Sequence, residues 1–292
     1  MTAHPAAAAP ADLDELRAEA MTWGRAPRTR GTWYVAEHMI RAMRAYGWTI
    51  LVGSVGQPIL YLLGLAVGLA ALIQVPIDDG GEPVPYLLFV APALLMTAAL
   101  NVAAEEFTYP VLAGFKWRRF FYGFSASPLA PRQIANGVVV AASARMVVTV
   151  AFYLVFVLAF FAWLHPDATR MATSWLMAPI GVLAGIAYGG PMLAFAASLE
   201  DDRGQLQLVQ RFVFMPMFLF SGTFYPLATL PVWLQWIGWV SPLWHASELG
   251  RAAAYGKPMD AGMAALHAGF LVLLAALGIA LAWRMFHRRL AS

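Results

Sequence analysis

Six stretches of this chain are apolar for about as long as a helix needs to cross a bilayer, and this constrains its fold more than any other feature. They run roughly over 48–73, 86–104, 136–164, 174–199, 208–224 and 264–283. Inside hydrocarbon there is no water to bond the backbone, so such segments satisfy their own amides as helices. Only 12% of the residues are charged and 61% are hydrophobic, against about 25% charged in a soluble domain. The expected fold is an all-α polytopic membrane protein with six transmembrane helices.

An even number of spans puts both termini on one side, and the cations choose the side. Arg25, Arg28, Arg30, Arg41 and Arg44 precede the first span, and Lys116, Arg118, Arg119 and Arg132 follow the second. Arg203 follows the fourth, and Arg284, Arg288 and Arg289 follow the sixth. The opposite loops carry Asp78, Asp79, Glu82, Asp167, Glu248 and Asp260 against Arg170, Arg251 and Lys257. The positive-inside rule then predicts cytoplasmic N- and C-termini. Residues 1–24 contain Asp12, Asp14, Glu15 and Glu19 and no apolar core, so they do not read as a signal peptide. Residues 1–31, beginning with an Ala/Pro run, are expected to form a disordered cytoplasmic tail.

Within 32–47, Trp33, Ala36, Ile40 and Met43 recur at helical spacing while Glu37, Arg41 and Arg44 lie elsewhere on the circumference. That pattern predicts an amphipathic helix in the membrane interface ahead of the first span. The longest cytoplasmic loop, 105–133, mixes cations with aromatics over Phe115–Tyr122 and predicts a short helix parallel to the membrane. Ser127-Pro128-Leu129-Ala130-Pro131 then stops any helix. One basic stretch beside a membrane does not call for nucleic acid.

The segment after the fifth span is not an ordinary aqueous loop. It contains Phe220-Ser221-Gly222-Thr223-Phe224-Tyr225-Pro226, then Pro231, then Ser241-Pro242-Leu243-Trp244-His245 with Glu248 and Arg251. It is apolar, broken by prolines and rich in tryptophan, so it sits at the membrane surface or folds back into it. A serine near His245 and His267 raises nucleophilic hydrolysis, which needs a base on the serine and an oxyanion donor set. No glycine-rich loop surrounds Ser221, and prolines and tryptophans separate it from His245, so the residues do not read as a hydrolytic site.

Other chemistry is missing from the sequence. The chain has no cysteine, which excludes thiol catalysis and Cys-based metal sites. Gly256-Lys257 runs into Pro258 and cannot cradle a phosphate, so no ATP site of the P-loop kind is present. The six histidines make no metal-binding spacing. The adjacent pairs Asp78-Asp79 and Asp201-Asp202, next to glycines, read as loop residues. Arg145 stands inside the third span, where a charge is expensive; it either snorkels or pairs with Glu105 or Glu106.

With these pieces placed, the chain resembles the membrane subunit of an ABC-2-type exporter, in the branch that includes nodulation-factor (lipo-oligosaccharide) and daunorubicin-type drug exporters. The resemblance runs from about Trp33 to Arg289. It is carried by Gln57-Pro58, by Ser127-Pro128-Leu129, and above all by Ser221-Gly222-x-Phe224-x-Pro226, Leu230-Pro231 and Pro242-Leu243-x-His245 with Glu248 and Arg251. It implies a permease of the bacterial cytoplasmic membrane that exports a drug, glycolipid or lipid-linked saccharide. It also implies a dimer with a second copy or a homologous permease, and separate cytoplasmic ATPase subunits that hold the ATP and magnesium; the chain itself holds no cofactor. By the same resemblance, about 115–124 is a coupling helix, with Lys116, Trp117, Arg118, Arg119 and Phe120 meeting the ATPase. Two re-entrant helices, about 225–236 and 242–254, follow the fifth span and form an outer gate through Ser221, Gly222, Phe224, Pro226, Pro231, Pro242, His245, Glu248 and Arg251. Gly53, Gly56, Gly64 and Gly68 of the first span serve either a dimer seam or packing within the subunit. The rival classes are a passive channel or ion-coupled transporter, and an intramembrane hydrolase.

Overall fold

The computed structural model describes residues 13–65, 68, 76–164 and 171–291. It is built almost entirely of helices. In chain order they are α1 (Leu13–Trp23), α2 (Arg25–Arg44), α3 (Gly47–Gly64), α4 (Tyr86–Glu106), α5 (Tyr109–Phe115), α6 (Phe120–Ser125) and α7 (Pro131–Leu164). Then come α8 (Met171–Ser174), α9 (Met177–Ser198), α10 (Gln205–Val209), α11 (Met215–Phe220), α12 (Val232–Trp239), α13 (Pro242–Tyr255) and α14 (Ala261–Leu290). One two-stranded hairpin, β1 (Ile77–Asp78) and β2 (Pro83–Val84), pairs Ile77 with Val84 and Asp78 with Pro83.

Four helical stretches among the described residues are long and apolar enough to span a membrane: Tyr86–Phe115, Pro131–Ala162, Ala172–Ser198 and Ala261–Leu290. The first is the axle of the bundle. Nearly every side chain of α4 is buried, with no polar face, because α9, α7, α13 and α3 surround it. α9 and α14 approach each other closely. A Cβ on Gly278 would stand 2.6 Å from the backbone of Gly190, so only glycine lets these two helices meet there.

The segment over 208–224 differs from a regular span. Its helix is α10, then a π turn over Gln210–Phe214, then α11. The physical reason is Pro216, which has no N–H and whose ring would strike the carbonyl four residues back. The wider turn, with Met215 N–H donating to the Gln210 carbonyl, absorbs the mismatch. Of the first apolar stretch, α3 covers Gly47–Gly64, while residues 66–67 and 69–73 lie outside the described residues.

Two further expectations are corrected near the N-terminus. Residues 13–31 are helical, not disordered. Asp14 and Glu15 sit in the first turn of α1, where the helix dipole favours them. The helix read over 32–47 starts at Arg25 and stops at Arg44. It is fixed to α7 by Gln133 Nε2, which donates to the Arg28 carbonyl at 2.8 Å, and by buried Gly31, Val35 and Ala36. Ala36 turns inward as the spacing requires, but Trp33 stays 58% exposed. Residues 1–12 lie outside the described residues.

Candidate functional sites at the two ends of the bundle

The bundle has two chemically different ends. At one, β1, β2, α12 and α13 gather; at the other, α5, α6 and the last turn of α14.

At the first end, the chain leaves α11 through Ser221, Gly222 and Thr223. Gly222 takes φ +71, a left-handed conformation that costs glycine little. Pro226, Pro231 and Pro242 then set the breaks: Pro226 precedes a 3-10 turn, Pro231 precedes α12, and Pro242 opens α13. Ser241 caps α13 by accepting from Leu243 and Trp244 N–H. Phe224 packs edge-on against Phe218, with ring centres 5.1 Å apart. Trp233, Trp236 and Trp239 of α12 are all exposed.

On α13, Glu248 and Arg251 are one turn apart, and the guanidinium is 1% exposed. Arg251 donates to Glu248 Oε1 at 2.9 Å, to the Gly222 carbonyl at 2.6 Å and to the Phe89 carbonyl at 3.2 Å. Its charge also lies 3.7 Å from the centre of the Phe89 ring. One side chain thus ties α13 to α4 and to the turn after α11. Glu248 pairs on its other oxygen with Lys257, and Lys257 donates to Asp79 Oδ1 at 2.7 Å. The Tyr255 hydroxyl donates to Asp79 Oδ2 at 2.6 Å. Asp79 is therefore not a simple loop residue: it is 3% exposed and carries the hairpin into the ion network. Asp78 does the turn's work, accepting from Gly81 N–H at 2.7 Å. Sequence reading missed Asp79, Tyr255 and Lys257. The available signal was the helical spacing of Glu248 and Arg251, a carboxylate with acceptor capacity left over.

His245 does not meet Ser221. Its Nε2 lies 3.0 Å from the Trp239 carbonyl, which can only accept, so Nε2 carries a hydrogen. In the neutral ring Nδ1 is then an acceptor, and the His267 Nδ1–H donates to it across 2.8 Å. Ser221 Oγ is buried without a hydrogen-bond partner among the described residues. No base is placed on this serine, and a serine nucleophile requires one.

At the other end, the expected helix over 115–124 is two short helices. α5 stops at Phe115, and α6 starts only at Phe120. Between them Arg119 takes φ +54, the only left-handed non-glycine among the described residues, with its guanidinium 5.4 Å from the Tyr122 ring centre. Aromatic packing holds the break in place. Phe121 is buried, 4.8 Å from the Phe115 ring and 5.2 Å from the Phe286 ring of α14. Phe120 is half-buried against Phe121, at 4.5 Å. Trp117, Arg118 and Arg119 point outward, while Lys116 is tied to Asp201. The Lys116 hydrogen bond and charge hold the Asp201 carboxyl below its ordinary pKa. Burial raises the pKa of Asp202, but backbone N–H donors led by Leu206, with the Tyr109 hydroxyl, outweigh it and leave the group lowered. Arg145 reaches both Glu105 and Glu106 at the end of α4, so it pairs rather than snorkels.

Between these ends lies a cavity of about 630 Å³ against α3, α4 and the α10–α11 segment. Leu94, Phe214 and Phe218 make part of its wall apolar, while Asn101, Gln210 and Glu105 supply polar groups. Such a wall can hold a molecule with one wet end and one greasy end.

A sequence model of the family described as ABC-2 type transporter matches residues 32–255. The chain is 27% identical over 247 residues to a protein named Nodulation protein J from Sinorhizobium fredii, covering 83% of this chain and 87% of that one. It is 27% identical over 244 residues to its namesake in Neorhizobium galegae, with the same coverage. It is 26% identical over 252 residues to the one in Bradyrhizobium diazoefficiens, covering 85% and 90%.

Proposed function

Because the chain belongs to the ABC-2 type transporter family, we propose that it is the permease of an ATP-driven exporter, powered by separate cytoplasmic ATPase subunits. The cargo is amphipathic, of the lipid-linked saccharide kind before a drug. The observation that carries this reading is the family match over residues 32–255, joined to a cavity whose wall is part amide and carboxylate, part aromatic.

In this reading α3 and the α10–α11 segment complete six spans, and both termini are cytoplasmic. α12 and α13 are re-entrant. At 8 and 14 residues they reach only about 12 and 21 Å, short of a hydrocarbon core of about 30 Å. The tryptophans of α12 hold it at the headgroup level. The permease pairs with a second subunit through α3. Among the described residues nothing within 4 Å would meet a Cβ on Gly53, Gly56 or Gly64, which favours the dimer seam over packing within the subunit.

ATP closes the ATPase pair and drives the permease between two states, through its different affinity for each. The contact is made by exposed Trp117, Arg118 and Arg119, with Phe120 and Phe121 anchoring α6 on the bundle. Lys116 holds Asp201, and so acts on the loop after α9 more than on the ATPase. The Arg251 network keeps the outer turn closed on α4 until the bundle shifts.

The test is reconstitution in vesicles with the cognate P-loop ATPase. Trp117→Ala with Arg118→Glu is expected to insert and melt like the wild type while losing ATPase stimulation and export. Full export by that variant refutes the coupling site. Export with no ATPase present refutes the class.

A further inference from the structure

The first turn of α7 and the last turns of α14 enclose a cleft of about 620 Å³. Arg132 lines one wall; Trp283, Arg284, His287 and Arg288 line the other. None of the residues lining it is acidic. All three arginines are exposed, and among the described residues none makes an ion pair or a side-chain hydrogen bond. Arg145 pairs with two carboxylates, Lys116 with Asp201, and Arg289 donates to the carbonyls of Ala197 and Leu199, whereas exposed Arg118 and Arg203 also make no ion pair among the described residues; what sets Arg132, Arg284 and Arg288 apart is that they share one cleft. The dipole of α14 favours Arg288 in its last turn, whereas that of α7 disfavours Arg132 at its start. Three like charges around one cleft call for an anion from outside the chain.

The surface leading to the cleft is apolar. Leu273, Leu277 and Leu281 are exposed on one face of α14, and Arg284 and Arg288 continue that face at helical spacing. Trp283 Nε1 donates to Asn136 Oδ1 at 2.6 Å, fixing an aromatic where the apolar part of each helix ends. Tryptophan favours the headgroup level. A path of leucines running into a basic cleft matches an acyl chain with an anionic head, not a free anion.

We propose that this cleft binds the phosphodiester headgroup of an anionic glycerophospholipid, in the leaflet on the side of the C-terminus, with an acyl chain along the leucine face. On the other side of the same turn, Phe286 packs 5.0 Å from Phe115 and 5.2 Å from Phe121. The bound lipid braces the turn of α14 on which α5 and α6 rest. The proposal rests on the membrane placement of the long helices and not on the exporter reading. Its test uses the permease without ATP or cargo, so the two fail separately.

Native mass spectrometry of the full chain in a neutral detergent, titrated with phosphatidylglycerol, phosphatidylcholine or inorganic phosphate, reads the site. Phosphatidylglycerol is expected to stay bound where phosphatidylcholine does not, with inorganic phosphate failing to displace it. Arg132→Gln, Arg284→Gln and Arg288→Gln are each expected to weaken binding about fivefold, and the triple variant about a hundredfold. A control triple, Arg25→Gln, Arg30→Gln and Arg203→Gln, is expected to bind like the wild type. Unchanged retention by the cleft variant overturns the proposal. An equal loss in the control means diffuse attraction and also overturns it. Displacement by inorganic phosphate shows an anion site rather than a lipid site. Unchanged lipid binding with lost ATPase assembly assigns the arginines to the protein partner instead.

Discussion

Replacing Arg251 by methionine tests whether its network holds the first end of the bundle together. The substitution keeps most of the side chain's volume and removes three donors. Glu248 is left buried with Lys257 as its remaining charge partner, and the carbonyls of Gly222 and Phe89 lose their donor. Stripping one partner from a buried pair costs about 3–5 kcal/mol, and each stranded acceptor about 1–3 kcal/mol. Lys257 offsets part of the first figure, and the Phe89 carbonyl lies inside α4, where the helix supplies its own donor and leaves only the Gly222 carbonyl stranded, so the net loss is about 4 kcal/mol, or roughly 10 °C in melting temperature. Arg251→Lys keeps the charge but not the fork, and is expected to lose about half as much. The assay is thermal unfolding in detergent, followed by tryptophan fluorescence. A cycle with Glu248→Gln then isolates the pair, with an expected coupling of about 1–3 kcal/mol. If Arg251→Met melts within about 2 °C of the wild type, or the two changes simply add, the network does not hold this end and the argument fails.

Other predictions follow from the same geometry. Arg145→Leu strands Glu106, which is 8% exposed, and is expected to cost about 3 kcal/mol; adding Glu106→Gln should restore more than half of the lost melting temperature, and no rescue would refute the pairing. Gly278→Val drives a side chain into Gly190 and Pro191 and is expected to cost about 3 kcal/mol through overpacking, so an unchanged melting curve would count against the close α9–α14 crossing. The tie between Lys116 and Asp201 has a definite pH dependence. Because the folded carboxyl lies below its ordinary value, its contribution is complete above the unfolded pKa of about 4 and is lost as pH falls through the lower folded value. Hydrogen exchange at residues 199–204 should stay protected down to about that pH and open below it; the same profile in Asp201→Asn would exclude the tie as its cause.

Sequence alone marked the long apolar segments as helices fit to span a membrane, four of which have that length among the described residues, and it showed where the cations gather. Both follow from the solvent: the bilayer sets a length and the headgroup region sorts charge, neither of which needs tertiary contacts. Order and spacing of residues also marked 220–251 as unusual, since prolines and tryptophans act through local backbone and interface preferences. Which groups meet was decided by the fold. Asp79 and Lys257 are 178 residues apart in sequence, and only the docking of the hairpin on α13 joins them. The expected coupling helix breaks at Arg119 because Phe121 must reach Phe115 and Phe286, a demand set by α14 and invisible in the loop itself. Apolar spacing read over 32–47 gave a helix and put Ala36 inward, but not Trp33 outward, because the docking on α7 sets the buried face at Gly31, Val35 and Ala36. Local pattern fixed the elements; packing of distant helices fixed the pairs, because a buried charge is tolerable only where another element brings its partner.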